Sequence, residues 1–160
     1  MGIIRPAVPE DMPLILERLR TADRDEIRAY TGTEAEFVAP ALFEVSDRIW
    51  TLATADGEPG AMLGTQPVFG EPMFGWVWMI ATDALAANSI EFLRKARGQL
   101  PTIHGPYCVL TNHVDARNTL HIRWLKWMGF TFLRRIERHG AESRPFYEFV
   151  RIEPSCVSQP

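Results

Sequence analysis

Three groups of residues in this chain have types and spacings that chemistry uses. His113 and Asp115 lie two apart in an apolar run, and a strand would put both on one face. Such a pair reads as half of a catalytic relay or as a structural hydrogen bond at a strand end. No Ser or Cys nucleophile stands beside it in the sequence, which favours the structural reading. The four histidines, His104, His113, His121 and His139, show no metal-ligand spacing, so no metal is expected. The two cysteines are Cys108, in an apolar run, and Cys156, in a polar tail. They resemble neither a disulfide framework nor a metal site, Cys108 reads as a small core residue, and a reducing, intracellular setting follows. The third group is aromatic. Trp76 and Trp78 share a strand face, and Trp124 and Trp127 lie three apart on a helix. The first of each pair reads as core filling; alternatively the set forms an exposed patch for self-association or docking. Arg134, Arg135 and Arg138 with Glu137 read as a solvated strand face.

The elements that must position these residues follow from periodicity. Residues 3–5 form a short strand stopped by Pro6, and Pro9-Glu10-Asp11 opens a helix with acids in its first turn. Met12, Ile15, Leu16 and Leu19 give that helix one apolar face. Residues 23–30 predict a second helix ending at Gly32, and residues 33–48 a third. Thr33 and Glu36 are spaced as a capping box, Phe37, Ala41 and Val45 would line the buried side, and Pro40 would kink it. The period then changes to two. Strands are expected at 49–54 and 60–68 around an Asp56-Gly57 turn, and at 74–81. A helix over 89–99 closes at Pro101, and residues 107–114 form a buried strand. A helix over 119–128 ends at Gly129, and strands at 130–138 and 146–152 complete the order. The implied class is an α/β mixed sheet with helices on both faces, one domain over 1–154, and a frayed tail at 155–160.

Composition narrows the partners. The 160 residues are 46% hydrophobic and 23% charged, with a formal net charge of −3 and interspersed signs. A nucleic-acid face would need clustered Lys and Arg, so no nucleic acid is expected. No apolar run approaches a membrane span, and the N-terminus lacks a signal-peptide pattern, so a cytoplasmic protein is expected.

The run Asn118-Thr119-Leu120-His121-Ile122-Arg123-Trp124-Leu125-Lys126-Trp127-Met128-Gly129-Phe130 resembles the last-helix motif of the GCN5-related N-acetyltransferases (GNAT). In it Asn118 would cap the helix, Gly129 would take the strained exit, and Phe130 would start the next strand. The element order resembles that family's as well. Residues 107–118 with His121-Ile122-Arg123, Leu125-Lys126 and Gly129, and Thr82-Asp83 earlier, also resemble the internal virion (core) proteins of short-tailed bacteriophages, which are acetyltransferase-like. That second resemblance implies a phage or prophage protein with a role in virion morphogenesis. Its partners would be other virion proteins or a second copy in a homo-oligomer, in the host cytoplasm and then the virion interior.

The GNAT resemblance implies an acyl-CoA site at residues Ile80, Thr82, Asn88, Ser89, Ile90, Asn118 and Leu125. In the family the diphosphate sits on a glycine-rich loop entering a helix, where backbone amides supply positive potential. The matching stretch here, Thr82-Asp83-Ala84-Leu85-Ala86-Ala87-Asn88-Ser89-Ile90-Glu91, has no glycine and no basic residue. Asn88 and Glu91 are spaced to cap the amides that a diphosphate would use. Leu125 stands where many members carry the Tyr that protonates the leaving thiolate, and leucine donates no proton. Glu44, Asp83 and Asp115 are the acids available as a base. A degenerate site with no cofactor is one expectation; an active acetyl-CoA-dependent N-acetyltransferase with an atypical diphosphate loop is the alternative.

Overall fold

The computed structural model describes residues 2–87 and 89–157. Seven strands form one mixed sheet in the order β1-β2-β3-β4-β5-β7-β6. β1 (Ile3–Pro6), β2 (Arg48–Ala53), β3 (Pro59–Val68) and β4 (Glu71–Ala81) run antiparallel to their neighbours. β5 (Val109–Asp115) lies parallel to β4, and β7 (Arg144–Ile152) and β6 (Thr131–His139) continue antiparallel. At the β2–β3 turn Gly57 has φ 85°, which a side chain would strain, and Thr54 N–H donates to Glu58 at 2.8 Å.

Three helices precede β2: α1 (Asp11–Glu17), α2 (Thr21–Thr31) and α3 (Ala35–Val45). Met12, Ile15, Ala35 and Ala39 from α1 and α3 pack with Met62, Trp78 and Ile80 on one face of the sheet. Between β4 and β5 lie α4 (Asp83–Ala87), α5 (Ser89–Gly98) and α6 (Leu100–His104), and α7 (Thr119–Trp127) joins β5 to β6. Leu85, Phe92, Ala96, Leu100 and Trp124 from these helices pack with Leu63, Val77 and Phe149 on the opposite face. Gly129 ends α7 with φ 87°, the left-handed exit that its position predicts.

Several expectations are corrected. The buried side of α3 is Ala35 and Ala39 with half-buried Val38 and Leu42, because two alanines let the helix sit close to Trp78. Phe37 (73% exposed) and Val45 (60%) face outward, and Ala41 is exposed. Thr33 and Glu36 form no capping box: the residue before α3 is Glu34, and Glu36 accepts from Arg24 instead. Pro101 closes no helix; it sits in the first turn of α6, where its missing N–H is harmless.

Cys108 and Cys156 are joined in a disulfide, against the expectation of two unpaired thiols. The cause is long-range. β5 pairs with β7 at Val109↔Ile152, which brings Cys108 beside Glu153, whose N–H donates to the Cys108 carbonyl at 2.8 Å. α8 (Pro154–Val157) carries Cys156 onto that edge, so the tail expected at 155–160 is tethered as far as Val157, while residues 158–160 lie outside the described residues; Cys108 is half-buried rather than core. In the strand pair Trp78, not Trp76, is the deeply buried indole, and its N–H donates to the Ser46 hydroxyl at 2.8 Å. No described helix is long and apolar enough to cross a membrane.

Candidate functional site

The parallel step in the sheet is short. β4 and β5 register only at Phe74↔Val109, Gly75↔Leu110 and Trp76↔Thr111, and then part. The gap opens into a cavity of about 400 Å³. Its walls include Trp78 and Ile80, which belong to the α1–α3 face, and Val77, Trp124 and Leu125, which belong to the α7 face. The cavity therefore passes through the sheet and meets both faces.

The open edge of β4 can be read from alternation. Thr82 N–H donates to Gly60 on β3, so even-numbered residues of this stretch bond β3. Ala81 points the other way: its N–H donates to Asp23 Oδ2 at 2.9 Å, and its carbonyl accepts from Arg20 N–H at 3.0 Å. Val77 thus turns its backbone groups to β5, closing the paired stretch at Trp76↔Thr111, and Met79 presents its own to the gap. The Val77 carbonyl accepts from Asn112 Nδ2 at 2.8 Å, which bridges the mouth of the gap. Below it, the edge at Met79 is an unpaired template of the kind that extended amide chains add to.

A buried polar network closes one side. Asp23 on α2 accepts from Arg20 Nη1 at 3.0 Å and from Asn118 Nδ2 at 3.1 Å. One turn later Glu26 Oε2 accepts from Asp115 N–H at 2.8 Å and from Asn118 Nδ2 at 3.3 Å. Glu26 lines the cavity. Desolvation by the surrounding protein, and then the negative charge of Asp23, push its carboxyl up to about 8. His121 is 6% exposed, its Nε2 lies 3.5 Å from Asp23 Oδ1, and that nitrogen has no hydrogen-bond partner among the described residues. Burial outweighs the attraction of Asp23 and holds the imidazole below its ordinary pKa, hence neutral.

The turn that follows β4 is plainer, and none of its described residues lines the cavity. Where a glycine loop would follow β4, the chain turns straight into α4. Thr82 is buried, and both its N–H and its hydroxyl donate to the Gly60 carbonyl. Ser89 is half-buried beside a small apolar pocket, and Ile90 is 71% exposed. Asn88 lies outside the described residues. Glu91 faces Lys95 at 3.7 Å across one turn of α5.

Of the residues singled out from the sequence, Ile80 and Leu125 meet in the cavity wall. Asn118 joins them from the edge, but not as a cap: it makes no capping bond and is buried against Asp23 and Glu26. Asp115 is no base, since its carboxylate is held by Arg117 at 2.7 Å, and it does not pair with His113. Glu44 and Asp83 are exposed and lie outside the cavity wall. Tyr107 donates to Asp47 at 2.8 Å, and burial with that bond pushes it up to about 12, so it is a poor acid. Among the described residues no three His, Cys, Asp or Glu side chains gather as a metal site.

The cavity-side residues that the sequence reading missed are Arg20, Asp23 and Glu26. A signal existed: Asp23, Glu26 and Tyr30 stand at i, i+3 and i+7 on one stripe of a helix, so two acids occupy an inward face.

Comparison with solved structures places this geometry. A GCN5-related N-acetyltransferase from Kribbella flavida matches with TM-score 0.71 at 16% identity, over 95% of this chain and 98% of that one. An acetyltransferase (GNAT family) from Bacillus anthracis gives 0.67 at 12% identity, over 94% of each. AAC(6')-Ib in complex with ribostamycin and coenzyme A gives 0.69 at 12%, over 99% of this chain and 97% of that one. No family model matches the chain, and no curated protein matches it. The chain has the GNAT fold, a seven-stranded mixed α/β sheet parted between β4 and β5.

Proposed function

We propose that the protein is an acyl-CoA-dependent N-acyltransferase with an atypical diphosphate end. The parted β4–β5 pair carries this reading: it leaves an unpaired strand edge at Met79 against a cavity that crosses the sheet. That edge fits the amide-bearing arm of coenzyme A, with Ile80 and Leu125 as its apolar walls. Ser89 and Ile90, at the start of α5, and Asn88 would meet the phosphates, and Thr82 and Asn118 would hold the elements around them. Bound acyl-CoA supplies an acyl carbonyl on a thiolate leaving group. Glu26 receives a proton from the incoming ammonium, which frees the nitrogen lone pair for attack. Asn118 and the Asp115 amide fix the carboxylate oxygen, and the carboxyl stands near 8, close to the working range of a base. Leu125 leaves the departing thiolate without a protein acid at that position, so solvent supplies that proton.

A second reading is favoured by the glycine-free, acidic turn at Asp83–Ala87: an assembly protein of a phage virion that kept the fold and lost the cofactor. Titration calorimetry and thermal shift with acetyl-CoA separate the two. Saturable binding, raising stability by about 2.7 kcal/mol at 100 times Kd, supports the enzyme. No heat and no shift at millimolar cofactor would leave only the assembly role.

A further inference from the structure

Resting on the transferase reading, we propose that the acceptor is a singly charged primary amine on a flat, apolar body, an aralkylamine, seated on α2 between Glu26 and a cluster of aromatic rings. Glu26 and Tyr30 lie four apart on α2, so they stand on one face of the helix. Tyr30 stacks with His113 at 6.3 Å and packs on Phe146 at 5.9 Å, while Trp76 lies 6.4 Å from His113. These four rings line the cavity together with Glu26. His139 backs them, 4.3 Å from His113.

Three buried imidazole nitrogens, His113 Nδ1 and His121 Nε2 in the cavity wall and His139 Nε2 behind it, have no hydrogen-bond partner among the described residues. Buried polar atoms are nearly always bonded, so this wall is built to meet something the chain does not provide. Burial, with His139 beside it, holds the His113 imidazole below its ordinary pKa, so it adds no positive charge near neutral pH. Aromatic faces beside one carboxyl recognise a cation on an apolar body.

Charge counting excludes a polycation. Every other acid facing the network is engaged: Asp23 by Arg20, Asn118 and the Ala81 amide, and Asp115 by Arg117. Glu148, which pairs with His113 across the β5–β7 ladder, is held by Arg134 at 2.5 Å. Among these acids Glu26 alone carries only neutral donors, the Asp115 amide and Asn118, and so is left for an ammonium. An ammonium placed against it favours the carboxylate, so amine binding releases the Glu26 proton below about pH 8.

The test uses 2-phenylethylamine, butylamine and spermidine as probes on the full chain, with and without acetyl-CoA. The expected result is tighter binding and at least ~10-fold higher kcat/KM for 2-phenylethylamine than for the other two. Below about pH 8 its binding heat should vary with buffer ionisation enthalpy, and Glu26→Gln should erase that variation. Trp76→Ala should cost the aralkylamine ~10-fold and butylamine little, with acetyl-CoA affinity kept, and Trp76→Phe should restore most of it. Preference for spermidine, equal losses for both monoamines, or no binding of 2-phenylethylamine to the free chain would overturn the proposal. Absence of acetyl-CoA binding with aralkylamine binding intact would instead overturn the transferase reading alone.

Discussion

The two regions that flank the β4–β5 gap, α2 and the turn after β4, differ in kind. On the α2 side, Arg20, Asp23, Glu26, Asn118 and His121 form a dense network that ties three elements together. On the α4–α5 side, a short helical turn bonds back to itself and to β3, with Asp83 and Glu91 as its charges. Buried polar groups cost stability unless they are fully bonded. The proposed transfer therefore places its specific chemistry at α2, where the buried polar groups lie beside the cavity.

The comparison predicts unequal responses to mutation. Glu26→Gln should have the largest effect, lowering turnover by ~100-fold or more at unchanged acetyl-CoA affinity, as steady-state kinetics will read. If the loss at Glu26 is small, the α2 end is not where the proton moves. The same variant carries a stability signature with a defined sign. The Glu26 carboxyl ordinarily stands at 4.5 and is raised to about 8 in the fold. Its contribution is fully present below 4.5 and is lost as pH rises through about 8. Glu26→Gln should therefore melt increasingly above the parent as pH rises across that window, and level off beyond it.

Asp23→Ala should come next. It leaves Arg20 buried without its carboxylate and removes the acceptor of the Ala81 amide, at a cost of ~3 kcal/mol or more in chemical denaturation. Reduction of the Cys108–Cys156 disulfide, or Cys156→Ser, opens a loop with a sequence separation of 48 and should cost ~3 kcal/mol while sparing both flanking regions. The smallest effect belongs to the plain turn after β4. Asp83→Asn removes one like charge near a diphosphate and should tighten acetyl-CoA by about fivefold, roughly 1 kcal/mol. A large change at Asp83 with little at Asp23 would invert the comparison.

The fold was legible because local rules carried it. Gly57 and Gly129 hold the positive φ that their turns require, and the change from helical to alternating period marks the entry into β2. The plain turn after β4 was equally legible, since a missing glycine is a fact of composition. The α2 side was not. Asn118 reads as a cap from its neighbours, and only the tertiary fold brings it to Asp23, 95 residues away. Cys108 and Cys156 likewise meet through a strand register that no local pattern states. Phe37 misled because hydrophobicity alone assigned it inward, whereas close helix packing selected Ala35 and Ala39.

Amide hydrogen exchange along β4, with and without saturating acetyl-CoA, tests the central claim most directly. If the parted edge takes the arm of the cofactor, the Met79 amide gains protection while those of Trp78 and Ile80, already bonded to β3, and of Val77, paired with β5 at Thr111, change little. Unaltered exchange at Met79 under saturation would show that the gap between β4 and β5 is not the acyl-CoA site.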